Sequence, residues 1–198
     1  MGFKLVQGVS AENFESVHSA FSVNGDNITA QVSAEHYEAL ISDLIKRLSE
    51  PVFFFVEFPC TADDEKKLRK SEDDPMHYNL YYLDNCTLPV AGAIMKRYGQ
   101  VLINDGLCRF GFGSHKDNEE IYCVKYQIIY VYGKADKYRK CFEKHGIPNE
   151  ENFVTLWDTF TNDSPGISSA VEVNGETVND IIENLKAEGL YFADVVEE

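Results

Sequence analysis

The segment from Glu120 to Tyr132, EIYCVKYQIIYVY, constrains the fold of this chain more than any other stretch. Successive side chains of a β-strand point to opposite faces of a sheet, and here both sets are mainly apolar or aromatic. The pattern predicts one long strand that crosses the middle of a sheet. One face would carry Tyr122, Val124, Tyr126, Ile128, Tyr130 and Tyr132, and the other Ile121, Cys123, Lys125, Gln127, Ile129 and Val131.

Further strands are predicted at 28–32, 52–58, 77–84, 106–113 and 190–196, where β-branched and aromatic residues cluster between turn signals. The run VFFFVEF at 52–58 is apolar on both faces and is expected to be a central strand. Segment 63–74 places acids on both sides of a basic block, so we expect a solvated loop or a frayed helix there. Segment 152–160 fits a helix and a strand equally well.

Helices are predicted where apolar residues recur three and four positions apart. Ser33 is expected to cap the first helix, which must end before Pro51. A later helix should end at Gly146 in a Schellman motif, and Thr177 with Asp180 resembles a capping box that begins the last helix.

One further helix is expected to follow Thr87 and to stop at Gly99. In that interpretation, 100–104 forms a strand. The sequence Asn104-Asp105-Gly106 would then make a hairpin turn that leads into the strand at 106–113.

Helices interspersed with hairpins, without strict β-α-β alternation, predict an α+β fold. We expect a single globular domain over residues 1–198, with a mixed or largely antiparallel sheet packed by about four helices. The 198 residues are 44% hydrophobic and 13% aromatic, which is enough apolar material for a core.

The negative charge is large and clustered. The formal net charge is −15, and the segment from Glu151 to the C-terminus holds eleven acids against one base, Lys186. Nucleic acids and anionic membranes are bound by neutralising phosphate with Lys and Arg, so direct binding to either is not expected. An acidic face can attract a basic protein partner instead. The alternative is a surface that only keeps the protein in solution.

The cysteines and the N-terminal segment predict a cytoplasmic protein. The first apolar segment, GFKLVQGV, is too short and too polar for a signal peptide or a membrane span. No C-x-x-C spacing occurs, and the number of cysteines is odd, which argues against a disulfide framework and a zinc ribbon. The five cysteines are Cys60, Cys86, Cys108, Cys123 and Cys141.

The stretch LCRFGFGSH at 107–115 raises the question of a phosphate site. A dinucleotide loop needs a third glycine three residues after Gly113, but Lys116 stands there, and no G-K-[ST] occurs anywhere. We therefore interpret Gly111 and Gly113 as strand glycines that allow a bulge or close packing beneath an aromatic neighbour. The alternative is a loop that contacts a ligand. The histidines and acids show no metal-binding spacing, so no metal or cofactor is expected.

No catalytic motif is present, but one alternative is a small enzyme of unrecognised class. Its pocket would involve Glu57, Cys60, Arg109 and His115, with Cys60 as a thiol at a strand end and Glu57 as the only acid in an apolar run. Outside such a pocket, Glu57 is expected either to reach solvent at the strand end or to pair with Arg109. A further alternative is a regulatory domain that binds a small molecule on the aromatic face of 120–132.

In its clustered negative charge and aromatic content, the chain resembles the acidic immunity proteins of bacterial toxin systems. The resemblance is to the class as a whole and transfers no residue. It implies a noncovalent protein partner, such as a basic toxin domain, that this protein neutralises. The residues we predict to bind that partner are Asp158, Asp163, Glu172 and Glu176, with Trp157 as an anchor. The alternative for Trp157 is packing inside the core.

Overall fold

The computed structural model describes residues 2–71 and 73–197, and it confirms the α+β class. Within these residues there are five α-helices: α1 (Ala34–Ile45), α2 (Ala62–Leu68), α3 (Leu88–Asn104), α4 (Ala135–Lys144) and α5 (Val178–Lys186). The strands are β1 (Val9–Ser10), β2 (Ala20–Asn24), β3 (Asn27–Gln31), β4 (Val52–Pro59), β5 (His77–Cys86), β6 (Arg109–Ser114), β7 (Glu119–Val124), β8 (Ile128–Tyr132), β9 (Ile167–Ser168) and β10 (Tyr191–Glu197).

Eight strands form one sheet in the order β10-β5-β4-β6-β7-β8-β3-β2. Each neighbouring pair in this sheet is antiparallel. Strand β4 lies between β5 and β6, which confirms the prediction that 52–58 is central. The short strands β1 and β9 pair with each other outside the main sheet.

Helices α1, α3, α4 and α5 share one hydrophobic core with the sheet. Helix α1 contacts both α3 and α4 and also reaches β7. Its buried residues follow the stripe that the sequence predicts: Tyr37, Leu40, Ile41, Leu44 and Ile45. The sheet contributes Phe54, Val56, Phe110, Phe112, Ile121, Cys123, Ile129 and Val131 to the same core.

The prediction that a helix stops at Gly99 is wrong. Helix α3 continues to Asn104, so 100–104 is helical and no hairpin turn forms at 104–106. Gly99 is buried inside the helix, where an added Cβ would lie 3.0 Å from Met95 Cε. Close by, Gln100 Nε2 donates to Glu38 of α1 at 2.6 Å. A glycine that looks like a stop signal therefore lies where α3 packs beside α1.

The single strand predicted from Glu120 to Tyr132 is also wrong, because the segment folds back as the hairpin β7-β8. Tyr126 and Gln127 have φ values of 58° and 63°, in the left-handed region. Gln31 Nε2 stabilises this turn by donating to the carbonyls of both residues, at 2.9 Å and 3.2 Å. The turn thus depends on β3, a strand distant in sequence.

Two predicted helix ends are confirmed in detail. Thr177 and Asp180 form a capping box at the start of α5. At the end of α4, Gly146 has a φ of 70°, and the N–H of Ile147 donates to the carbonyl of Phe142 at 3.1 Å. This last bond is the long hydrogen bond of a Schellman motif.

Several elements have weak or no signals in the sequence. Segment 63–74 contains most of α2, which Thr61 caps by accepting a hydrogen bond from Asp64 N at 3.2 Å. Segment 152–160 holds only a short 3₁₀ turn, Trp157–Thr159. Strands β1, β2 and β9 were not predicted.

Candidate functional site

The side of the eight-stranded sheet opposite α1, α3 and α4 carries most of the sheet's aromatic residues, and we call it the open face. Strand register places Tyr82 beside Phe55, Phe55 beside Gly111, and Tyr122 between Gly111 and Tyr130. A second row on the same face runs through Phe53, Gly113, Glu120 and Tyr132. The tyrosines are half-buried, except Tyr132, which is 40% exposed.

Gly111 and Gly113 allow the rings of the neighbouring strand to lie flat on the sheet. A Cβ on Gly111 would come within 2.4 Å of the Phe55 ring, and one on Gly113 within 2.2 Å of the Phe53 ring. Both contacts are far shorter than van der Waals separation. The interpretation of FGFG as strand glycines beneath aromatic neighbours is therefore confirmed.

Glu57 and Arg109 form an ion pair at the buried end of the open face. Arg109 Nε lies 2.5 Å from Glu57 Oε2, although its N–H is not aligned as a hydrogen bond. The hydroxyl of Tyr122 donates to the same carboxylate oxygen at 2.7 Å. The Arg109 guanidinium also lies 3.9 Å above the centre of the Tyr78 ring. Of the two arrangements expected for Glu57, the structure shows the pairing with Arg109.

Cys60 and His115 do not join Glu57 and Arg109 in one pocket. Cys60 follows β4 and lies beside α2, where its N–H donates to the carbonyl of His77. His115 stacks on Phe53 with ring centroids 4.5 Å apart, and its side chain is 78% exposed. Phe53 and Glu57 stand four residues apart on β4, about 13 Å. The sequence-predicted pocket is therefore divided into separate environments.

All five cysteine thiols have pKa values above the ordinary value. Each is buried and unpaired, and burial is the largest cause that raises the pKa of every one. Near Cys60, the carboxylates of Glu65 and Asp64 raise the thiol pKa further. A nucleophilic cysteine needs the opposite shift, which a neighbouring cation or helix N-terminus provides.

A depression of about 360 Å³ opens at one end of the open face. Phe53, Tyr82, Tyr132 and Glu120 line it, and the exposed ring of His115 lies at its edge. The pKa of Glu120 is raised, first by burial and then by the negative charge of Glu57. The sequence predicts that Tyr132 lies on an aromatic face, but it does not single out Glu120. The only indication for Glu120 is that it occupies an even-numbered position, as the tyrosines of that face do.

Trp157 is held at the surface by two other aromatic residues. It is 49% exposed, and its ring lies edge-on to Tyr126 and Phe160, with centroids 4.5 Å and 5.5 Å away. The Phe160 ring lies against Gly166, and the hydroxyl of Tyr126 donates to the Gly166 carbonyl at 3.2 Å. We call residues 154–166 the tryptophan loop.

Two of the four predicted partner-binding acids belong to this loop. Asp158 accepts hydrogen bonds from the N–H and hydroxyl of Thr155, at 2.8 Å and 2.7 Å, and these contacts lower its pKa. Asp163 is exposed in the turn that follows. Ser164 donates to Glu12 at 2.7 Å, which adds a third carboxylate to the same region.

The other two acids lie in the segment that leads to α5. Glu172 is exposed, and the N–H of the preceding Val171 donates to Asp105 at 3.1 Å. Glu176 pairs with Arg97 of α3 through two contacts of 2.5 Å. Of the four predicted acids, Glu176 is therefore the one that forms an ion pair with another residue in the described part of the chain.

Among the residues that the structure describes, no three His, Cys, Asp or Glu side chains lie together as a metal site. Over the same residues, no helix combines the length and the apolar character needed to cross a membrane. Comparison with protein-family models, with curated proteins and with solved structures gave no match.

Proposed function

We propose that this chain is an acidic protein-interaction module that binds a basic protein partner through the tryptophan loop. The observation that carries the proposal is the position of Trp157, half-exposed in the most acidic part of the chain. Tryptophan is enriched among the residues that dominate binding energy at protein interfaces.

The local packing supports this role because it leaves little freedom for Trp157 to lose on binding. Contacts with Tyr126 and Phe160 hold the ring, and the Tyr126 turn is itself held by Gln31. A side chain that is already positioned costs less entropy when a partner covers it. Asp158, Asp163 and Glu12 place negative charge around the ring, which suits a basic partner.

An immunity protein that blocks a basic toxin domain in the bacterial cytoplasm is the specific form of module that we propose. The five buried, unpaired thiols support a reducing compartment. The alternative of a small enzyme has less support, because Cys60 has a raised pKa and Glu57 is held by Arg109.

The test is an affinity pull-down from lysate of the source cell, at low and high salt, with wild type and two variants. Trp157→Ala removes the proposed anchor. Phe192→Ala is the matched control, since Phe192 is an aromatic residue of similar exposure, 52%, on edge strand β10. Thermal unfolding of each variant verifies that the fold is retained.

We expect wild type and Phe192→Ala to capture one basic protein that is released at high salt. Trp157→Ala should weaken its binding by roughly 30-fold or more, as the loss of an interface hot spot does. Equal capture by all three proteins would contradict the proposal, and so would the absence of any salt-sensitive partner.

A further inference from the structure

The depression at the end of the open face has a chemistry that the tryptophan loop does not share. It combines aromatic walls with a half-buried carboxylate and opens to solvent. We propose that Phe53, Tyr82, Tyr132 and Glu120 form a cage that binds a small alkylated ammonium group. This site is separate from the proposed partner interface and does not rest on it.

The walls of the cage are fixed in place by the sheet. Phe53 is 5% exposed, because it lies flat over Gly113 and beneath the stacked ring of His115, so it forms the floor of the cage. Its ring centroid is 5.6 Å from that of Tyr82. Tyr132 stands on β8, directly paired with Glu120 on β7, and stacks on Tyr130 with centroids 6.0 Å apart. Tyr82 and Tyr132 are the more exposed rings, and the faces of aromatic rings carry the negative part of the aromatic quadrupole, which attracts cations.

Glu120 supplies a negative charge that the described part of the chain does not compensate. The influences on its pKa are burial and the charge of Glu57, and both raise it; no cation lowers it. The pKa values of Tyr82 and Tyr132 are raised mainly by burial. The negative charge of Glu120 raises both to a smaller extent. A half-buried carboxylate without a cation costs free energy that a bound cation would offset.

Two lysines near the cage, Lys134 and Lys137, are engaged with other carboxylates. Lys134 Nζ lies 3.2 Å from Asp117 and 3.6 Å from Glu119, and Lys137 Nζ lies 2.5 Å from Glu119. Asp84 adds a further carboxylate at the edge, 3.9 Å from His115 Nε2. The surroundings of the cage therefore favour a cationic ligand.

The aromatic walls select for an alkylated ammonium group over a primary one. A primary ammonium has three N–H donors, and each that is left unpaired in the cage costs free energy. Methyl groups in their place present an apolar surface to the rings while the positive charge remains. A volume of about 360 Å³ accommodates a small group of this kind.

The test is calorimetric titration of the full chain with choline and with 3,3-dimethyl-1-butanol, its neutral carbon isostere. We expect choline to bind and the isostere to bind about tenfold more weakly or not at all, since only charge separates them. A short peptide that carries trimethyllysine forms the third arm. Tighter binding of the peptide than of choline identifies a protein-borne ligand, and equal binding identifies a free small molecule.

Three variants make the assignment specific. Glu120→Gln should weaken choline binding about tenfold, and Tyr132→Leu should weaken it several-fold, with unfolding curves as the check on folding. Trp157→Ala should leave choline binding unchanged, so failure of this proposal is distinguishable from failure of the proposed function. The proposal is overturned if choline and the isostere bind equally, if choline does not bind at millimolar concentration, or if Glu120→Gln binds choline like wild type.

Discussion

At the scale of single residues, Gly111 and Gly92 provide a direct test of the packing on the open face. Gly111→Ala would place a Cβ 2.4 Å from both Phe55 and the Ile121 carbonyl, whereas Gly92 in α3 has nothing within 4 Å. We expect Gly111→Ala to destabilise the fold by about 1–3 kcal/mol. Gly92→Ala should stabilise it by about 0.5–1 kcal/mol. Urea unfolding of both variants measures the difference, and equal effects would contradict the packing.

The pair of Glu57 and Arg109 makes a second prediction at this scale. Their side chains are only 10% and 11% exposed, so Arg109→Met leaves a buried carboxylate without its cation. We expect a loss of about 3 kcal/mol in the free energy of unfolding. The double variant Glu57→Leu/Arg109→Met removes both charges and should recover much of this loss. If the double variant is no more stable than Arg109→Met, the pair is not coupled as described.

At the scale of elements, Asp43 links helices α1 and α4. Its carboxylate lies 2.6 Å from Lys144 Nζ and 3.1 Å from His145 Nε2, both at the end of α4, and 3.0 Å from Lys46 Nζ. The hydrogen bond from Lys144 is the largest of the causes that lower the Asp43 pKa, followed by that from Lys46.

Because the pKa of Asp43 is lower in the folded state, its contribution to stability is complete above the ordinary carboxyl range and is lost as the pH falls below it. We expect Asp43→Asn to cost about 1 kcal/mol at pH 7, since the lysines are largely exposed. The difference from wild type should shrink as the pH falls below 4, where the unfolded carboxyl is protonated. Denaturant unfolding across this pH range is the measurement, and a pH-independent difference would exclude the ion-pair explanation.

The hairpin β7-β8 shows how far the sequence could predict the elements. Three residues, 125–127, connect Val124 to Ile128, its partner across the hairpin. Side chains alternate between the two faces of the sheet. Because the turn has an odd number of residues, the even-numbered residues of β7 and of β8 lie on the same face. Alternation therefore predicted the faces of Tyr122 and Tyr130 correctly but could not detect the turn.

The turn was missed because its conformation depends on distant contacts. Tyr126 and Gln127 are not residues that favour a positive φ, and the hydrogen bonds from Gln31 to this turn span about a hundred positions in sequence. The same limit applies to the cage. Phe53, Tyr82 and Glu120 come from three strands, and only the strand order of the sheet makes them neighbours.

At the scale of the whole molecule, the net charge of −15 predicts that the association rate with a basic partner depends on salt. Association with a basic protein should slow as salt rises, because screening shortens the reach of the acidic field. Asp163→Asn removes an exposed charge of the tryptophan loop, whereas Glu176→Gln removes a charge already paired with Arg97. Both change the net charge equally.

We expect Asp163→Asn to reduce the association rate constant at low salt more than Glu176→Gln does. Surface plasmon resonance with the captured partner, over a series of salt concentrations, measures these rates. Equal effects of the two variants would show that only total charge matters, and a rate independent of salt would argue against a basic partner.

The most direct test of the central claim is hydrogen–deuterium exchange of this protein, free and in complex with the captured partner. We expect protection on binding to be largest in the tryptophan loop, residues 154–166, and in the adjoining turn at Tyr126. The control region is edge strand β10, where exchange should stay unchanged. Protection confined to β10 or to α2, with the tryptophan loop exchanging as in the free protein, would contradict the account.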